Sequence, residues 1–296
     1  MKLADVAYER PSDLSQALAM ISDTSRDIRV LAGGQSLLAA LNFRLGEPDL
    51  LVDINRIAQL KGISEQNGVV RIGALTRHVD VMRSPIVAEH LPLIARAIHE
   101  VAHPAIRHRG TFGGSIALAD PAAELPACLL ACNGSVIIAS VHGERQVAAD
   151  NYFKGLYDTD LQPGEIITAV QLPSHAGNDC FFAFAEFARR RGDFANAGVA
   201  ITARNRAAIE DSRIVLFGVS DKPVRATTSE ALLNGQPLDA DNIERASEMA
   251  TEAIAVFSDI HTGEAMKRHL CRVMMRRALT AAVSGAGSAT LTDNSA

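Results

Sequence analysis

Two Gly-Gly pairs in closely similar settings, Ala32-Gly33-Gly34-Gln35-Ser36 and Thr111-Phe112-Gly113-Gly114-Ser115, constrain this chain more than any other feature. Each is followed by a small hydroxyl or amide residue and then by an apolar stretch. One such pair alone reads as an ordinary tight turn. Two in matching context point to a shared anionic ligand, because a glycine turn lets successive N–H groups converge on one anion and lets its oxygens approach the main chain. A helix start adds partial positive charge, and Ser36, Thr111 and Ser115 can add hydroxyl donors. A diphosphate suits this chemistry. Neither pair has the GxGxxG spacing or the lysine of a P-loop, so the common nucleotide folds are disfavoured.

The surroundings read as alternating elements. Ser12 and Asp13 can cap a helix over Leu14, Ala17, Leu18 and Ile21. A strand over 28–32 ends in the first glycine pair, a helix follows through Leu37, Leu38 and Leu41, and 50–54 is the next strand. This order predicts a small parallel or mixed sheet. Residues 68–75 read as a strand, with Thr76 as cap of the helix after it, and a longer helix is expected from about 91 to 101. Pro104 argues against regular helix over 103–110. Asp120 is a natural N-cap with Pro121 at the first helical position, giving a helix over 122–131. Strands are expected over 135–141 and 165–172, the second stopped by Pro173. After the polar stretch 174–179 the pattern changes to antiparallel strands over 181–188, 197–203 and 212–219, then to helices over 228–233, 243–254 and 263–282. The Gly-, Ala-, Ser- and Thr-rich end reads as a frayed tail.

Composition excludes several classes. With 296 residues, 48% hydrophobic and 21% charged, the chain has material for two globular domains. A net charge of −5 argues against binding a nucleic-acid backbone. The N-terminus has no apolar signal core and no apolar run reaches membrane-spanning length, so a cytoplasmic protein is expected. Cys128, Cys132, Cys180 and Cys271 lack zinc or iron–sulfur spacing; the first two read as small core hydrophobes. With 4% aromatics and no Trp, a flat cofactor must be held by backbone hydrogen bonds and aliphatic contacts rather than by ring stacking.

Other polar residues have plainer readings. Asp120 reads first as a cap. Glu124, near a phosphate-binding segment, would be repelled unless it served a hydroxyl such as a ribose or ribityl group. Arg107-His108-Arg109 and Arg189-Arg190-Arg191 invite a functional role such as subunit docking, but basic runs read first as solvated surface. His78 and His103 read as turn residues.

Ala32-Gly33-Gly34-Gln35-Ser36-Leu37-Leu38, Thr111 to Ser115, Ala119-Asp120-Pro121-Ala122-Ala123-Glu124-Leu125-Pro126 and the later Phe187 to Ala195 resemble the FAD-binding medium subunit of the xanthine dehydrogenase and carbon monoxide dehydrogenase family. The resemblance covers nearly the whole chain. It implies an α+β fold: a two-part FAD-binding domain of the vanillyl-alcohol-oxidase (PCMH) type over 1–176, with parts at about 1–57 and 58–176. A smaller α+β flavoprotein domain over 177–284 and a flexible tail over 285–296 would follow. It implies FAD held by Leu31, Ala32, Gly33, Gly34, Gln35, Ser36 and Leu37 and by Thr111, Phe112, Gly113, Gly114 and Ser115. Val101 and Ile167 would lie by the cofactor, Glu124 would bind a sugar or ribityl hydroxyl, and Asp120 belongs to the same set. Ser115 stands where many relatives have Asn, Ala39 where Pro is common, Leu118 where His is common, and Ala185 where some have Lys.

The family's activity is electron relay. A large subunit with a molybdenum pterin cofactor hydroxylates the substrate, a small subunit with two [2Fe–2S] clusters carries electrons onward, and FAD in the medium subunit passes them to an external acceptor. The resemblance therefore implies a dimer of heterotrimers, with no catalytic acid or base and no metal in this chain. The alternatives are a self-contained FAD oxidase or dehydrogenase of the same fold and a scaffold protein with empty glycine turns. Short length and few His, Tyr or Trp candidates in the C-terminal half weigh against the first.

Overall fold

The computed structural model describes residues 5–283 apart from 178 and 261. The tail expected over 285–296 lies outside the described residues. The chain opens with β1 (Ala7–Glu9), α1 (Leu14–Ile21), β2 (Ile28–Leu31), α2 (Leu37–Asn42) and β3 (Leu50–Asp53), whose strands form a parallel sheet in the order β1-β3-β2. Asp13, not Ser12, caps α1, its carboxylate accepting from the Gln16 N–H at 2.9 Å. Ala17, Leu18 and Ile21 of α1 then pack on Leu50 and Val52.

The next stretch contains β4 (Ile63–Gln66), β5 (Val69–Gly73), α3 (His78–Arg83), α4 (Pro85–His90), α5 (Pro92–Ala97), α6 (Pro104–Arg107), α7 (Phe112–Leu118) and α8 (Glu124–Ala131). It continues through β6 (Ser135–Ser140), β7 (Gly143–Ala148), α9 (Ala149–Tyr152), the short pair β8 (Phe153–Gly155) and β9 (Asp158–Thr159), and β10 (Ile166–Pro173). An antiparallel sheet in the order β4-β5-β10-β6-β7 backs the helices. Several expectations are corrected here. The helix expected over 91–101 is shorter and is preceded by α4. Pro85, Pro92 and Pro104 each start a helix, since a missing N–H costs nothing at the first helical position. Thr76 caps nothing: its hydroxyl bonds to the backbone of Gly62. Asp120 caps only the turn before α8, through the Ala122 N–H, and Ala123 holds the N-cap position. Pro173 is the last residue of its strand.

The chain ends in an antiparallel sheet of β11 (Cys180–Phe187), β12 (Ala197–Arg204), β13 (Glu210–Phe217) and β14 (Val224–Arg225), followed by α10 (Thr227–Leu233), α11 (Ala240–Glu248) and α12 (Glu264–Val283). The helix expected over 243–254 starts earlier, capped by Asp239, and stops at Glu248. One face of this sheet packs on α12 and the other on α8. Every residue of α8 is buried, so it lies as a slab between the two antiparallel sheets, with Cys128 in its core. Its last carbonyls have no partners within the helix. Thr202 Oγ1 bonds the Ala131 carbonyl at 2.6 Å, and Arg213 Nε bonds the Leu130 carbonyl at 3.0 Å. Those two bonds seal the seam between the N-terminal and C-terminal sheets.

Candidate cofactor site

The first glycine pair sits between β2 and α2, and the second forms the first turn of α7. The two segments are distant in sequence and touch in space. A Cβ on Gly33 would lie 2.5 Å from the Arg109 carbonyl oxygen and 2.9 Å from Gly110 Cα, so the loop after β2 rests directly on the backbone leading into Thr111. Gly113 is equally tight against Ala74, where a Cβ would meet the Ala74 Cβ at 2.5 Å. Gly34 has φ +71°, a backbone region that side chains other than hydrogen tolerate poorly. Thus Gly33 and Gly113 are required by packing of the protein on itself and Gly34 by backbone conformation.

The backbone hydrogen bonds separate the two segments in kind. In the second, the Phe112 N–H goes to the Thr76 carbonyl, Gly113 to Ala74, Gly114 to Thr111 Oγ1 and Ser115 to the Thr111 carbonyl. Those amides are spent inside the protein. The second segment is thus a capped helix start that buttresses the first.

In the first segment the carbonyls are spent instead. Leu31 O accepts from Ile54 N–H, Ala32 O from Asn55 Nδ2, Gly33 O from Gln35 Nε2, Gly34 O from Leu38 N–H and Ser36 O from Ala40 N–H. The N–H groups of Gly33, Gly34, Gln35, Ser36 and Leu37 have no protein acceptor among the described residues. Successive free amides with carbonyls turned away form an anion-binding concavity. Ser36 is exposed at the N-cap position of α2 with its hydroxyl uncommitted.

A cation stands beside this loop. Arg77 donates to the Arg109 carbonyl and, at 2.6 Å, to Asn55 Oδ1, and no carboxylate lies within ion-pairing distance of it among the described residues. Burial and the neighbouring Arg109 charge hold its pKa below the ordinary arginine value. Sequence reading missed Asn55 and Arg77, since an Asn after a strand and an Arg before a helix carry no pattern of their own. The fit with a diphosphate is good: open amides and an exposed hydroxyl converge at one loop, and the Arg77 guanidinium is bonded to Asn55, which in turn holds the Ala32 carbonyl.

The remaining candidates lie toward the other end of α7. Val101 and Ile167 are buried core residues; Ile167 is on β10, the strand α7 packs against. Asp120 is buried, one oxygen taken by the Ala122 N–H and the other by the Tyr157 hydroxyl at 3.1 Å. Glu124 is 6% exposed and faces the seam. Burial is the main cause that raises its pKa to about 7; the hydrogen bond from its own N–H opposes this, and the nearby Glu100 and Asp120 charges add to the rise. Across the seam, Glu186 of β11 is raised to about 9 by burial and by Glu124 and Glu100, with Arg96 and Arg191 opposing. Its Oε2 is buried without a partner. Glu100, by contrast, is ion-paired with Arg96 at 2.7 Å and Arg191 at 3.2 Å. Arg191 therefore has a structural partner, while Arg189 and Arg190 are exposed as expected. Arg107 is tied to the carbonyls of Val101 and Ala102. The seven residues of α7 span roughly 10 Å between loop and carboxyl pair, a separation that a dinucleotide can bridge.

Gly114 is the informative glycine of the set. Its φ is not positive, and a Cβ there would meet only the Thr111 hydroxyl, at 2.7 Å. Gly114→Ala should lose about 1 kcal/mol of capping and regain about as much in helix propensity, leaving the melting temperature within a few degrees. Cofactor retention should fall, because outside its own helix only the Thr111 hydroxyl lies within 4 Å of the added methyl, which leaves that side open to a ligand. Unchanged flavin content after desalting would show that nothing approaches the backbone there.

Among the described residues no helix is long and apolar enough to cross a membrane, and no cluster of His, Cys, Asp and Glu could hold a metal ion. Residues 4–175 match the family described as FAD binding domain in molybdopterin dehydrogenase, and 182–282 match the CO dehydrogenase flavoprotein C-terminal domain. The nicotine 6-hydroxylase medium subunit of Paenarthrobacter nicotinovorans is 41% identical over 286 residues, 95% of this chain and 99% of the relative. A chain of carbon monoxide dehydrogenase from Hydrogenophaga pseudoflava superposes with a TM-score of 0.92 at 34% identity, covering 96% of this chain and 99% of that one. A chain of quinoline 2-oxidoreductase from Pseudomonas putida 86 gives 0.91 at 35% identity, covering 97% and 100%. This fold, with its open-amide loop braced against a capped helix start, makes the chain a member of the FAD-binding medium-subunit family of the molybdenum hydroxylases, an oxidoreductase subunit.

Proposed function

We propose that this chain is the electron-transfer flavoprotein of a three-subunit molybdenum hydroxylase, taking electrons from [2Fe–2S] clusters of a small partner and passing them to an external acceptor. The observation that carries the reading is the run of unsatisfied N–H groups from Gly33 to Leu37. Those amides, with Ser36, would hold the FAD diphosphate; Thr111 to Ser115 would back them, and Val101, Asp120, Glu124 and Ile167 would border the rest of the cofactor. Glu124, with its raised pKa, can both donate to and accept from a ribityl hydroxyl. Bound FAD supplies the ability to take up electron pairs and release them singly or together. The chain's own part is binding, orientation and exclusion of water; no residue of it acts as catalytic acid or base in this reading. We place the FAD-binding domain at 1–176 and the C-terminal domain at 177–284.

Substrate choice belongs to a large partner with a molybdenum pterin cofactor, the assembly being a cytoplasmic dimer of heterotrimers. Purification of the native complex should give a yellow protein containing molybdenum, iron and flavin in stoichiometric amounts, with two further chains. Anaerobic substrate should bleach the flavin in the complex and not in the isolated chain. A flavin reduced directly by substrate in the isolated chain would favour a stand-alone dehydrogenase; a colourless chain would overturn the cofactor assignment.

A further inference from the structure

The amide-bearing loop already touches the second segment through the close approach of Gly33 to the Arg109 carbonyl. Two side chains from elsewhere add a hydrogen-bonded link between the same two segments. Asn55, just after β3, has its Nδ2 directed at three acceptors: the Ala32 carbonyl at 2.7 Å, the Leu31 carbonyl at 3.5 Å and Asp53 Oδ1 at 2.6 Å. Its Oδ1 accepts from Arg77 at 2.6 Å. The neighbours fix the amide's orientation, because a carbonyl can only accept and a guanidinium can only donate. Arg77, at the start of α3, uses its second NH group on the Arg109 carbonyl, the same oxygen that Gly33 packs against. The path Ala32–Asn55–Arg77–Arg109 therefore joins the two glycine segments by hydrogen bonds through side chains of neither.

We propose that Asn55 and Arg77 are positioning residues of the cofactor site: a bracket that turns the Leu31 and Ala32 carbonyls inward and so presets the following amides to face the anion. A planar fork suits this task, since one guanidinium reaches two oxygens in fixed directions whereas an ammonium does not. Because the bracket joins groups already present in the protein, it operates before any ligand arrives, and it lowers the ordering cost of binding. This rests on the reading that residues 33–37 hold the FAD diphosphate.

The test uses the full chain stripped of flavin and compares Asn55→Ala, Asn55→Asp, Arg77→Ala and Arg77→Lys with the parent. Amide hydrogen exchange is followed at 33–37 and 109–115, and FAD affinity is then measured on reconstitution. The bracket predicts faster exchange at both segments in all four variants and FAD binding weaker by about tenfold or more, with the Asn55→Ala/Arg77→Ala double variant little worse than either single one. Asn55→Asp keeps an acceptor for Arg77 and loses the bonds to the loop carbonyls, so it reports even if an Arg77 variant does not fold. Full recovery of affinity and protection in Arg77→Lys would overturn the bracket in favour of charge alone. Parental exchange rates, or faster exchange with parental affinity, would overturn it as a positioning device. Failure of the parent chain to bind FAD would overturn the cofactor reading instead.

Discussion

Gly33→Val is expected to yield a chain without FAD and with a clearly lowered melting temperature. The cause is not a blocked ligand but a displaced backbone. The valine Cβ would have to occupy a point 2.5 Å from the Arg109 carbonyl oxygen, about 1 Å inside normal contact, and its neighbours there are main chain rather than a side chain that can swing away. Relief requires the loop to lift from 109–110. That movement also pulls Ala32 from Asn55 and stretches the link through Arg77, so packing and hydrogen bonding are lost together. A stability loss of about 2–3 kcal/mol or more follows from overpacking and broken bonds. Flavin per chain after desalting and the thermal midpoint check both parts. A variant of normal colour and normal midpoint would show that the close approach is not formed. Gly114→Ala separates the effects in the opposite sense, since it leaves the packing and adds bulk where the ligand is expected.

The second large effect is a loss of stability on the alkaline side, centred on Glu124 and Glu186. Both carboxyls carry raised pKa values, about 7 and about 9, so the folded chain holds protons that the unfolded chain has released. Below about pH 4.5 both states are protonated and the full contribution is present. As pH rises from there through the folded values, stability falls by up to about 1.4 kcal/mol per pH unit for each proton retained only in the folded state. It levels off above about 9, where both forms are ionised. Arg96 and Arg191 do not rescue the pair, because they are bonded to Glu100. Glu186→Gln keeps the shape and supplies a permanent N–H beside Glu124. Its melting temperature should match the parent near pH 4.5 and exceed it by a margin that grows with pH, reaching several degrees by pH 9. Parallel curves for parent and variant across that range would show that no proton is held at the seam. Glu186 belongs to the C-terminal sheet and Glu124 to α8, so the alkaline loss should first appear as loosening between these two parts.

Much of this architecture is legible locally. The α1 stripe, the strands bounded by glycine or polar residues, the long α12 and the antiparallel strands after Cys180 follow from side-chain periodicity and turn chemistry, which neighbouring residues determine. The reading failed at helix starts, where Pro85, Pro92 and Pro104 open short helices and Thr76 and Asp120 serve turns. Choosing among adjacent capping residues depends on what each hydroxyl or carboxylate can reach, as Thr76 shows by bonding Gly62 across a strand.

By itself the sequence determined that two glycine segments of matching chemistry exist, that each is followed by an apolar stretch, and that the pattern is that of a flavoprotein subunit. Only the tertiary structure decided how the segments divide the work. Identical glycine pairs leave the page as equals; Thr76 and Ala74 then consume the amides of the second, while Ile54 and Asn55 consume the carbonyls of the first and leave its amides open. The difference arises from hydrogen-bond partners contributed by other strands, and no local periodicity encodes which distant acceptor a backbone N–H will find. The same holds for Arg77, whose guanidinium joins Asn55 Oδ1 and the Arg109 carbonyl, two oxygens distant from it in sequence.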